Sequence, residues 1–194
     1  MDSYKTLKFV LKPIFKILYR PTIINKEKIP TEKAFIFAGN HKNALDPALV
    51  AISTKRTVRF LAKKELLEGK TKLFFKAIKV IPVDRKHTSV SAVDTAIKIL
   101  KDNGVISLFP EGTRNKTNKI LLPFKFGAVS MAQKTKSPIV PFAITGDYKL
   151  FRKGIKIEFG EPIDISKMEL QEANEYLMQK VEELIKKNIN GVKQ

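Results

Sequence analysis

Ala34-Phe35-Ile36-Phe37-Ala38 is a run of five residues without a polar side chain; Gly39-Asn40-His41 ends it, and Asp46-Pro47 follows within a short turn. A wholly apolar run closed by glycine reads as a strand buried on both faces. Asp is a favoured N-cap and Pro a favoured first helical residue, so Asp46-Pro47 predicts a helix start, with the helix over 48–53. The same alternation recurs along the chain. Strand-like runs at 58–62, 80–83, 105–109, 139–144 and 155–159 are separated by helix-like segments at 64–79, 89–101, 124–134 and 168–187. The expected fold class is therefore α/β: one domain with a mostly parallel or mixed central sheet flanked by helices.

The 194 residues suffice for one core, and at 43% hydrophobic the chain falls in the globular range. Without cysteine there is neither a disulfide nor a thiolate metal site, and two histidines far from any acidic cluster predict no metal centre. No apolar run approaches the roughly 18 residues that span a bilayer, and Lys12-Pro13 breaks the early apolar stretch, so neither a transmembrane span nor a cleaved leader is expected.

Residues 4–19 have the period of an amphipathic helix. Lys5, Lys8, Lys12 and Lys16 mark one face, Leu7, Leu11, Ile14 and Leu18 another, and Phe9 and Phe15 widen the apolar side. Such a helix can pack on its own domain or lie in a lipid interface. The expected division is 1–30 for this helix and its connection and 31–194 for the remaining domain. Net charge is +18, and it is concentrated: residues 54–79 carry nine Lys and Arg against Glu65 and Glu68, whereas 166–194 balance five Lys with five Glu. An excess of this size implies polyanionic partners, among them nucleic acid, anionic membrane or phosphorylated substrates.

Two strand ends carry candidate chemistry. His41 and Asp46 could form a base and its orienting partner. On a continuous helix five residues turn about 500°, leaving the two side chains about 140° apart, so the pair requires a turn that folds Asp46 back. Read singly, Asp46 is also an ordinary cap and His41 an ordinary loop histidine. The second strand end is Phe109-Pro110-Glu111-Gly112-Thr113-Arg114, where Gly112 allows close backbone approach and Arg114 offers a planar fork for phosphate. Glu111 could orient Arg114 or accept a substrate hydroxyl. Val80-Ile81-Pro82-Val83-Asp84-Arg85 is a third strand end, closing on an arginine that, read singly, is one more solvated charge, with His87 read as a loop histidine.

Taken together, these blocks resemble the glycerolipid acyltransferase family. Its Asn-His-x-x-x-x-Asp-Pro block is met by Asn40, His41, Asp46 and Pro47; its second by Lys64-Glu65-Leu66 and Ile81 to Arg85; its third by Phe109 to Arg114; its fourth by Ile139-Val140-Pro141-Phe142. Four blocks in order cover most of residues 34–146. The chain departs from the pattern at Asn43, where Ser or Thr is common, at Asn115, where Ser is common, and at the charged stretch Glu68 to Lys72.

The resemblance implies an O-acyltransferase of phospholipid biosynthesis. It would move a fatty acyl group from acyl-CoA or acyl carrier protein to the hydroxyl of 1-acylglycerol-3-phosphate, with the thioester as co-substrate and no other cofactor. His41 and Asp46 would be catalytic, while Arg85, Glu111, Gly112 and Arg114 would bind substrate. The expected partners are a lysophospholipid, the acyl thioester or its carrier protein, and an anionic membrane, with the protein peripheral on the cytoplasmic face. Another acceptor, such as glycerol-3-phosphate, is an alternative within the class. A basic nucleic-acid-binding protein explains the charge but not the blocks, and no RNP-like or zinc-finger pattern is present.

Overall fold

The computed structural model describes residues 3–63, 80–83 and 90–191. The expected helix at 64–79, Arg85 and His87 lie outside them. Seven strands form one sheet: β1 (Thr22–Ile24), β2 (Phe35–Gly39), β3 (Val58–Lys63), β4 (Ile81–Val83), β5 (Val105–Leu108), β6 (Ile139–Thr145) and β7 (Lys156–Phe159). Their order is β1-β7-β6-β2-β5-β3-β4, and every pairing is parallel except β6 with β7. The described helices are α1 (Ser3–Tyr19), α2 (Asp46–Ser53), α3 (Val90–Lys101), α4 (Gly127–Thr135) and α5 (Leu170–Asn190). The α/β expectation holds, as one domain with a mixed, mostly parallel sheet.

Alternation along β2 shows why its run has no polar residue. Phe35 and Phe37 face one core with Leu49, Val50 and Ile52 of α2, while Ile36 and Ala38 face another with Ala128, Val129 and Met131 of α4. Both faces are dry, as the central strand of a parallel sheet requires. The helix after β2 therefore covers one face and the helix after the neighbouring strand β5 covers the other. That divergence opens a crevice at the carboxyl ends of β2 and β5, the usual ligand position in open α/β sheets. The close fit there depends on Gly39, where a Cβ would meet the Phe142 carbonyl oxygen at 2.3 Å.

Three local expectations are corrected. Thr22–Ile24, read as connection, is a strand paired with Lys156 to Glu158; three residues are too few for a periodic signal. The fourth helix begins at Gly127 and not at 124, because Phe124 is buried and its carbonyl accepts from the Asn174 side chain at 2.9 Å. The faces of α1 also differ from the reading. Tyr4, Phe15 and Tyr19 dock together with Lys8, while Phe9, Val10, Ile14 and Ile17 are exposed. At about 100° per residue, 4, 8, 15 and 19 share one stripe and Phe9 and Phe15 point to different sides.

Docking places Lys8 against the connection between α2 and β3, where its Nζ donates to the Arg56 carbonyl at 2.8 Å. Burial, then the neighbouring Lys12 and Lys26, lower its pKa from 10.5 to about 8. The unfolded chain thus binds more protons between those values, so folding stability attributable to Lys8 should rise from pH 8 to pH 10.5. Lys8→Met is expected to flatten that rise in urea-unfolding free energies; an unchanged slope would show that Lys8 is not the group titrating.

Candidate active site

The Gly39-to-Asp46 turn is held from several directions. Asn40 is buried, and its side-chain amide bonds both backbone groups of Ile144: Nδ2 donates to the carbonyl at 2.9 Å and Oδ1 accepts the N–H at 2.7 Å. Lys42 Nζ donates to the Gly146 carbonyl and lies 3.7 Å from the Asp147 carboxylate. Between them, the His41 carbonyl accepts the Asn115 N–H at 2.7 Å, which ties the third block directly to the first.

The turn brings Asp46 back to His41. Nδ1 of His41 lies 2.9 Å from Asp46 Oδ2, and that oxygen also accepts the N–H groups of Lys42 at 2.8 Å and Asn43 at 2.7 Å. Oδ1 accepts the Tyr148 hydroxyl at 2.8 Å. An ionised carboxylate only accepts, so the contact puts the imidazole proton on Nδ1 and leaves a lone pair on Nε2. Asp46 has no solvent exposure, and the His41 side chain keeps 18% of its own. The ring stacks on Phe109 at 4.1 Å and 18°, with Phe109 braced edge-on by Phe142.

Asp46 does not cap α2. The helix starts at Asp46 itself, Leu45 precedes it, and no side-chain bond caps the end. The carboxylate turns back into the loop, where three donors outweigh the one or two a cap would offer.

Glu111 is nearly as buried, and both its oxygens are taken by backbone donors: Oε1 by His41 N–H and Oε2 by Leu122 N–H, each at 2.8 Å. Burial pushes its carboxyl above the ordinary range, while the two N–H bonds pull against that shift. It therefore clamps the His41 turn to the segment after Arg114 and does not hold Arg114. The Arg114 side chain is exposed, and no ion pair with it exists among the described residues. Gly112 takes φ 69°, a left-handed turn that favours glycine, and a Cβ there would meet the Lys125 side chain at 2.9 Å.

Two participants escaped the sequence reading, the Phe109 ring as a wall for His41 and the Tyr148 hydroxyl as a partner of Asp46. Phe109 could be suspected because it stands at the strand end just before Pro110; Tyr148 carries no spacing signal. Burial and the adjacent Asp46 carboxylate push the Tyr148 phenol far above its usual range, so it stays a donor. A cleft of about 300 Å³ adjoins the turn, and its lining includes Ile144, Ile185 and Ile189 together with Lys42, Asn115 and Lys119.

A family model described as Acyltransferase matches residues 20–145, a span that holds His41, Asp46, Glu111 and Arg114 and stops short of Tyr148. The chain belongs to this acyltransferase family. Its reaction is O-acyl transfer. Among its relatives is a 1-acyl-sn-glycerol-3-phosphate acyltransferase of Bacillus subtilis, 34% identical over 93% of this chain and 96% of that protein. Another of the same description, from Streptococcus pneumoniae, is 33% identical over 73% of this chain and 55% of its own length. Among solved structures, the 1-acyl-sn-glycerophosphate (LPA) acyltransferase PlsC of Thermotoga maritima superposes with a TM-score of 0.72 at 26% identity, over 91% of this chain and 78% of that one.

Proposed function

We propose that the protein acylates 1-acyl-sn-glycerol-3-phosphate to phosphatidate, with acyl-CoA or acyl carrier protein as thioester donor and no further cofactor. The observation that carries the reading is the Asp46-held imidazole at the β2/β5 crevice, its Nε2 lone pair left available. His41 takes the proton of the acceptor hydroxyl as the oxygen attacks the thioester carbonyl. A C–O bond forms, and collapse of the tetrahedral intermediate breaks the C–S bond. The thiolate leaves with the proton returned by the imidazolium, whose charge Asp46 stabilises meanwhile. No acyl-enzyme is required. Purified protein in mixed micelles with lysophosphatidate and palmitoyl-CoA or palmitoyl carrier protein should form phosphatidate; product from glycerol-3-phosphate alone would transfer the reading to the other acceptor.

In this reading Arg114 binds the acceptor phosphate beside the Gly112 turn, and Arg85 joins it on the strength of the sequence pattern. A charged hydrogen bond contributes about 1.5–3 kcal/mol. Arg114→Ala should therefore raise the lysophosphatidate KM about 10- to 100-fold with little change in kcat. A fall in kcat alone would remove the phosphate role.

The acceptor resides in a bilayer, and no described helix is long and apolar enough to cross one. The exposed apolar side of α1 supports peripheral attachment to an anionic, cytoplasmic lipid face, with Lys5 and Lys16 at the headgroups. Phe9 is 83% exposed, and burying such a ring is worth roughly 1.5–3 kcal/mol, so Phe9→Ser should weaken binding to phosphatidylglycerol vesicles at least ~10-fold. Equal sedimentation of parent and variant would refute the attachment.

A further inference from the structure

The three N–H donors on Asp46 Oδ2 all come from residues 41 to 43, its own turn. They hold that oxygen but do not by themselves fix the plane of the carboxylate. The bond at Oδ1 is different: Tyr148 reaches it from the loop after β6, 102 residues along the chain. The Tyr148 ring is in turn seated edge-on against two rings of α1, Phe15 at 6.2 Å and 83° and Tyr19 at 5.6 Å and 89°. Phe15 and Tyr19 pack on each other at 4.9 Å. Three aromatic side chains thus run from the N-terminal helix to the buried carboxylate.

We propose that Tyr148 is a positioning residue for acyl transfer, seated by Phe15 and Tyr19 of α1. Its hydroxyl, given to Asp46 Oδ1, fixes the carboxylate plane and so the direction in which the His41 Nε2 lone pair points. Tyr148 touches no reacting atom; it acts through Asp46. The proposal rests on the general-base role given to His41 above. It adds that the helix with the exposed apolar side is a working part of the catalytic support. Catalytic groups must be held within about 10–20° of the productive direction, and loss of one of the two elements fixing Asp46 falls on kcat and not on substrate binding.

The test compares Tyr148→Phe, Phe15→Leu and His41→Ala in lysophosphatidate–detergent micelles with palmitoyl-CoA, where vesicle docking does not limit the rate. Tyr148→Phe should lower kcat about 10-fold, leave both KM values within about 2-fold, and keep a cooperative thermal transition. Phe15→Leu, which keeps the hydroxyl but loosens its seat, should lower kcat by less. A Tyr148→Phe kcat within about 2-fold of the parent, or a loss confined to KM, overturns the proposal. Should Tyr148→Phe not fold, Phe15→Leu decides, and an unchanged kcat there overturns it. Full activity in His41→Ala would instead bring down the general-base reading itself; an inactive His41→Ala beside an unaffected Tyr148→Phe brings down the positioning role alone.

Discussion

His41→Ala should lower kcat at least ~100-fold, the lower end for removal of a general base, with KM for both substrates nearly unchanged. The geometry explains the split. The imidazole carries one proton on Nδ1 toward Asp46 and stacks on Phe109, so its remaining resource is the Nε2 lone pair. The phosphate contacts assigned to the Arg114 loop lie on another segment and do not depend on the ring. The turn itself should survive, because Lys42 N–H, Asn43 N–H and Tyr148 still bond Asp46, and Glu111 holds the backbone N–H of residue 41, not its side chain. Steady-state kinetics with a thermal melt of the same preparation checks both halves. A kcat loss under about 10-fold in a folded variant would end the assignment.

Asp46→Asn should cost both activity and stability, and Asn is more informative than Ala. Removing the side chain would take the acceptor from two half-buried N–H groups, at up to about 1–3 kcal/mol each, and loosen the turn. An amide can instead keep its carbonyl oxygen where Oδ2 stands, still accepting from His41, Lys42 and Asn43. The NH₂ then faces Tyr148, whose hydroxyl must rotate from donor to acceptor. What disappears is the charge. Charged hydrogen bonds exceed neutral ones by roughly 1–1.5 kcal/mol, so a stability loss on the order of 2–4 kcal/mol is expected. The imidazolium formed in the reaction loses its counter-charge at the same time, and kcat should fall by about 100-fold or more. Urea unfolding and initial rates on one sample separate the two effects. A stable protein with kcat within about 5-fold of the parent would mean that the carboxylate orients the ring without stabilising its charge.

Much of the frame is legible in the residues because β2, β5 and β6 are buried on both faces and therefore carry almost wholly apolar runs, broken only by Ser107 in β5 and Thr145 at the end of β6. Their ends fall beside one another for the same reason, which puts Asn40-His41 and Pro110-Glu111 at one crevice. The pairing of His41 with Asp46 follows from the turn between them. Its hydrogen-bond economy does not follow: Asp46 reads as a cap, yet it serves three backward donors and one tyrosine. Glu111 similarly reads as a partner for Arg114, but the nearest unsatisfied donors after folding are backbone N–H groups from two other segments. Tyr148 was out of reach because its partner is 102 residues away and no period links them. For α1 the lysines keep to one face but apolar residues wrap most of the remaining circumference, so the docked face is decided by the rings it meets in tertiary contact.

The fixing of α1 at both ends has a consequence for how the enzyme meets its acceptor. The helix is fastened near its start by the bond from Val58 N–H to the Tyr4 hydroxyl and by Lys8 on Arg56. Near its end it is fastened by Phe151 N–H on the Leu18 carbonyl and by the entry of Thr22 into the sheet. It is a keel, not a tether. A lipid surface that accepts its outer side accepts His41 at one height and one heading. The rotational search that a loosely hung anchor would impose on every encounter has then already been settled by folding.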